Sequence, residues 1–126
     1  MKYLQDYMNE RQTKAFDEAG AFFAFSNEQF ESARIKGIKY VSAGMGLICP
    51  EDKLEKLIEN LNTIYKESIQ QDIKENGIEN IIKRELNNHE AYYTGEIDQT
   101  YDALKDYGIT KENIFKIFKN KNYKIK

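Results

Sequence analysis

The sequence predicts an α+β fold that is predominantly helical, with one long central helix and a small three-stranded antiparallel sheet. Three observations carry this expectation. Leu54, Leu57, Ile58, Leu61, Ile64, Tyr65, Ile69 and Ile73 form an unbroken apolar stripe of helical period between Pro50 and Gly77. Residues 40–43 and 47–49 have strand composition and flank Gly44-Met45-Gly46, whose glycines supply the positive φ that a hairpin turn needs. Phe22-Phe23-Ala24-Phe25 is a third, aromatic run bounded by turn-capable residues, and is read as the remaining strand.

Composition bounds the rest. At 126 residues, with 40% hydrophobic and 32% charged, the chain has the size and balance of one globular domain, read as residues 1–126. A formal charge of −2 gives no global basic field for nucleic acid, and the acidic bias is too small for a DNA mimic. The single cysteine, Cys49, excludes an internal disulfide framework and fits a reducing cytosol. No apolar run approaches the roughly 20 residues of a membrane span, and no apolar signal segment follows Met1. A cytoplasmic location and no membrane partner are therefore expected.

In chain order, residues 2–18 read as an amphipathic helix with Leu4, Tyr7, Met8, Arg11, Ala15 and Ala19 on one face and Gly20 as its stop. Arg11 on that face is either a side chain snorkelling from its edge or a buried ion-pair or ligand-binding arginine. After the strand at 22–25, Ser26-Asn27-Glu28-Gln29 has the form of a capping box. It opens a helix to Arg34, with Phe30 and Ala33 inward and Gly37 ending it. Pro50-Glu51-Asp52 starts the long helix, proline first and acids in the first turn. That helix ends near Asn76 and would be about 37 Å long. So long an apolar-striped helix in a small protein suggests homodimerisation. Residues 78–91 form the next helix, with Ile78, Ile82, Leu86 and His89 along one face and Ile81 and Glu85 on its flank. A short helix over 98–106 carries Tyr101 and Leu104 and ends at Gly108. Thr110 caps the last helix, whose apolar positions are Ile114, Phe115, Ile117 and Phe118. Residues 119–126 are expected to fray.

The densest polar and aromatic clustering lies over residues 84–94, around the only histidine. Glu85 and His89 stand four apart and share a helix face. A metal site needs three or more ligands, and neither a second histidine nor a nearby cysteine exists, so no metal or other cofactor is expected. His89 is read first as a structural residue that caps the free carbonyls of its helix. Arg84, Asn88, Glu90, Tyr92 and Tyr93 are read as a contact surface presented where the helix stops. No Ser-His-Asp or Cys-His arrangement follows from spacing, and Cys49 is read as a core-edge residue. Residues 111–126 hold six lysines and one acid, a local charge of about +5 that leaves about −7 for residues 1–110. Such a segment is read first as a solvated helix end, and as an alternative it suits an acidic partner or nucleic acid. Residues 98–118 imitate a helix-turn-helix, but the second helix has no Arg or Gln to read bases, and its Ile and Phe positions look committed to packing.

Three segments together are familiar. Phe22-Phe23-Ala24-Phe25-Ser26-Asn27-Glu28-Gln29-Phe30, Arg84-Glu85-Leu86-Asn87-Asn88-His89-Glu90 and the helical pair at 103–110 resemble a family of small uncharacterised proteins. That family is carried by bacteriophages and mobile elements of Firmicutes and Bacteroides, and the resemblance spans about residues 20–115. It brings no established activity and no catalytic residue. It implies a setting: small phage accessory proteins are often inhibitors of host defence, anti-CRISPR proteins foremost, with sponges for immune-signalling nucleotides another case. The leading expectation is a non-enzymatic inhibitor in the host-cell cytosol that binds a host defence protein, or its nucleic acid, stoichiometrically. The alternative is a nucleotide sponge whose pocket draws on Arg11, Phe25, Ser26, Arg84 and residues 88–93. An enzyme using Glu85 and His89 as an acid–base pair comes last.

Overall fold

The computed structural model describes the backbone of residues 2–125 and the side chains of residues 2–120. The elements are α1 (Leu4–Ala19), β1 (Phe22–Phe23), α2 (Asn27–Ala33), β2 (Tyr40–Gly44), β3 (Leu47–Pro50), α3 (Leu54–Asn76), α4 (Ile78–Asn88), α5 (Ala91–Thr94), α6 (Asp98–Leu104) and α7 (Lys111–Ile125). The fold is α+β and mostly helical, with the long helix and the three-stranded antiparallel sheet that the sequence predicts. The chain divides into two compact units, Lys2–Ser68 and Ile69–Lys126, and α3 contributes residues to both.

In the first unit the strand order is β1-β3-β2. Phe23 pairs with Leu47 and Val41 with Cys49 on one face, while Phe22 and Ser42 both oppose Ile48 on the other. Leu47 and Cys49 point into a core with Met8, Ala15, Leu57 and Ile64. Fully burying one leucine such as Leu57 contributes about 1.5–3 kcal/mol. The opposite face is closed by α2, where Phe22, Phe30 and Tyr40 pack ring on ring at 5.4–6.2 Å between centroids. The hairpin turns through Gly44, Met45 and Gly46, all at positive φ. In the second unit α4 packs against α5, α6 and α7. Ile69, Ile81, Ile82, Leu86, Ala91, Leu104, Ile109 and Ile114 are all buried.

Several boundaries move, each for a local reason. β1 stops at Phe23 because Phe25 leaves the ladder: its N–H donates to Gln29 Oε1 (2.7 Å), while Ser26 Oγ accepts from Gln29 N (3.1 Å). The Ser26 cap, with Gln29 reaching back one residue past the box position to Phe25, therefore ends the strand as it starts α2. That helix closes at Ala33, ahead of Gly37, since Arg34 is already extended (ψ 150°). Pro50 is the last residue of β3, and a 3₁₀ turn at Glu51–Lys53 precedes α3. The helix expected over 78–91 ends at Asn88, because Glu90 takes a left-handed φ of 54° and starts α5 afresh. The helix of α6 likewise gives way to a 3₁₀ turn at Lys105–Tyr107. α7 is helical through Ile125, beyond the point where fraying is expected at 119. The side chains of residues 121–126 in the basic segment lie outside the described residues.

Candidate functional site

The second unit is organised around a carboxylate that the apolar pattern hides. Asp72 lies on α3 at 0% exposure. Positions 61, 65, 68 and 72 follow helical spacing down one side of that helix, which places an acid in line with residues that face inward. α4 then brings Arg84 to it. Arg84 Nη1 and Nη2 donate to the two Asp72 oxygens at 2.9 and 3.0 Å, a bidentate pair. Two further donors complete the carboxylate: Tyr107 Oη to Oδ2 at 2.6 Å and Asn76 Nδ2 to Oδ1 at 2.7 Å. Arg84 Nε reaches the opposite way, to Glu85 Oε2 at 2.7 Å. Thr100 Oγ1 donates to the Glu85 carbonyl at 3.3 Å, which ties α6 to α4.

The electrostatics follow from this geometry. Burial works against the charge on Asp72, but the bonds from Arg84, Tyr107 and Asn76 outweigh it and hold its pKa below the ordinary carboxylate range. Burial works against Arg84 as well, and its two carboxylate partners outweigh that and raise its pKa further. Burial, together with the bond it donates to Asp72, raises the Tyr107 phenol. Tyr92 is raised by burial.

His89 stands at the outer end of the same chain of contacts. Its backbone caps α4, donating to the Glu85 carbonyl at 3.0 Å. Its side chain does not bond the helix-end carbonyls. Nε2 is buried and faces Glu85 Oε1 at 3.6 Å, just beyond hydrogen-bond reach.

The expected site residues thus fall into distinct groups. Arg84, expected on the presented corner, lies inside with its side chain 4% exposed, because packing on α4 from three helices buries a face wider than its apolar stripe. Glu85 is inside as well. Asn88, Glu90 and Tyr93 are exposed, and His89 and Tyr92 are half-buried. Tyr92 stacks on Phe118 of α7 at 5.3 Å and 22°, while its neighbour Tyr93 is 96% exposed. Arg11, Phe25 and Ser26 belong to the first unit. Arg11 does not lie buried on its helix face but is half-exposed and pairs with Glu67. Ser26 caps α2, and Phe25 stands outward. Sequence reasoning missed Asp72 and Tyr107. The first had a readable signal, an acid in line with the inward positions of α3; the second had none, since Tyr107 reaches Asp72 across 35 residues of sequence.

Among the described residues no group of three His, Cys, Asp or Glu side chains has the geometry to hold a metal ion. No helix among them is long and apolar enough to cross a membrane. The chain belongs to the family of unknown function DUF7659, whose model matches residues 4–123. No curated protein and no solved structure matches it significantly.

Proposed function

We propose that this protein acts by stoichiometric binding, inhibiting a host defence complex of the anti-CRISPR kind, with the α4–α5 corner and α7 as its contact surface. The observation that carries this reading is the Tyr92–Tyr93 pair. Tyr92 is stacked on Phe118, and this fixes the backbone from which Tyr93 projects into solvent. Tyrosine is among the residue types enriched at interface hot spots. Around it Asn88 and Glu90 offer polar contacts, and α7 adds exposed Phe115 with the exposed Lys116 and Lys119. By contrast, Arg84 and Glu85, which an acid–base or phosphate-binding site would use, are spent on each other and on Asp72. The setting of host defence rests on the resemblance to phage-borne proteins.

The nucleotide-sponge reading has less support. The chain has three arginines, and each is paired with a carboxylate: Arg11 with Glu67, Arg34 with Glu31, and Arg84 with Asp72. Cells carrying a defined CRISPR system provide the test. Expression of the protein should restore phage plating. Tyr93→Ala should abolish the effect with an unchanged melting temperature, and His89→Ala should leave it largely intact. Phage plating that stays restricted under every system tried, together with a thermal shift of several degrees by a cyclic nucleotide, would replace this reading with the sponge.

A further inference from the structure

About a third of the chain's residues are charged, yet residues 19–27 and 40–50 carry no charge at all. These two stretches hold the three strands and the β2–β3 turn, while the charges of the β1–β2 connection, Glu28, Glu31, Arg34, Lys36 and Lys39, lie on and after α2. The uncharged stretches leave three large apolar side chains outside. Phe23 is 52% exposed, Phe25 74% and Met45 95%. Phe23 and Phe25 touch, and Met45 is the chain neighbour of the glycine that Phe25 covers. The Phe23 and Phe25 rings lie nearly parallel, at 9° and 6.4 Å between centroids. Phe25 rests on Gly46, the neighbour of Met45, so closely that a Cβ there would lie 2.3 Å from the ring. Phe16 backs Phe23 edge-on at 5.6 Å. The rings are therefore held in place before any contact is made, which lowers the ordering cost of binding. The exposed parts of the three side chains come to about 400 Å², within the range of the largest apolar patches on monomers. That is about half of the roughly 800 Å² that one partner contributes to a standard interface, and the uncharged hairpin around them can supply more.

We propose that this patch docks a second copy of the same chain about a two-fold axis. In such an interface each group lies near its own counterpart, so any charge within it would meet a like charge. A surface free of charge over both stretches meets that condition. It does not suit the alternatives: nucleic acid requires cations for its phosphates, and a charge-steered foreign partner requires complementary ones. The contact of a homodimer then lies on the sheet and its hairpin, and not along the stripe of α3. This inference does not depend on the defence reading, since it concerns the chain alone.

Sedimentation equilibrium of the full chain, from low micromolar to submillimolar concentration, tests it. The wild type should reach the mass of two chains and stop there, with no loss on adding salt. Phe25→Ser and Met45→Ser, at exposed positions that leave the fold intact by circular dichroism, should each weaken the dimer by about tenfold or more. A single-chain mass at submillimolar concentration overturns the proposal. So does a dimer indifferent to both substitutions, and so does a mass that climbs past two with concentration.

Discussion

The two units of this protein are stabilised by opposite means. In Lys2–Ser68 the interior is apolar, built from Met8, Ala15, Leu47, Cys49, Leu57 and Ile64. Its ion pairs, Arg11–Glu67, Arg34–Glu31 and Lys39–Glu51, all have substantial solvent exposure. In Ile69–Lys126 the apolar interior encloses a charged one, Asp72–Arg84–Glu85, with side chains at 0%, 4% and 10% exposure. The first arrangement is tolerant, because an apolar core is non-directional and insensitive to pH. The second is exacting. Its charges are stable inside only while every donor and acceptor is matched, and removing one partner leaves the other buried and uncompensated.

The comparison can be broken most sharply at Arg84. Arg84→Met should cost about 3–5 kcal/mol in urea unfolding, and the loss should shrink at acid pH as Asp72 takes up a proton. A small, pH-independent loss would show that the network contributes little. Leu57→Ala, in the other unit, should cost about 2–5 kcal/mol by the same assay, with no dependence on pH between 5 and 8, since no titrating group is touched. Tyr107→Phe should cost about 1.5–3 kcal/mol, the worth of a hydrogen bond to a charged acceptor. Asp72 sharpens the contrast further through its pH profile. Its pKa is lowered on folding, so its contribution is fully present above the unfolded value of about 4 and is lost as pH falls through the folded value. Asp72→Asn should flatten that acid limb of the urea midpoint. At the bottom of the scale, Arg11→Ala removes a half-exposed pair and should cost less than about 1 kcal/mol.

Much of this architecture was legible in the sequence, and the parts that were not share a cause. Periodicity reveals which face of a helix is apolar, so α1 and α3 are readable from the spacing of their apolar residues, and the three strands from β-type composition, two of them around Gly44-Met45-Gly46. It does not reveal how many neighbours a helix has. α4 looked like a helix with one buried stripe and Arg84 beside it. Packing by α5, α6 and α7 buries Arg84 and Glu85 too. The 84–94 region, which the sequence offers as one contact surface, divides in two: Arg84 and Glu85 inward, Asn88, Glu90 and Tyr93 outward. Asp72 was passed over because an acid in a long charged helix reads as solvated surface. Its partner Tyr107 is fixed by the tertiary fold, which no local pattern encodes.

Cys49 has a use that follows from its position. It is the chain's single thiol, on β3, at 0% exposure in the core of the first unit. Burial, with a smaller contribution from Asp52, raises its pKa above the ordinary thiol value and suppresses the reactive thiolate. An alkylating reagent can therefore reach it only when that unit opens. The rate of modification of the unaltered protein is then a clock for opening of the unit that carries it. It needs no introduced label, and it reports on the sheet and not on the charged interior beyond Ser68.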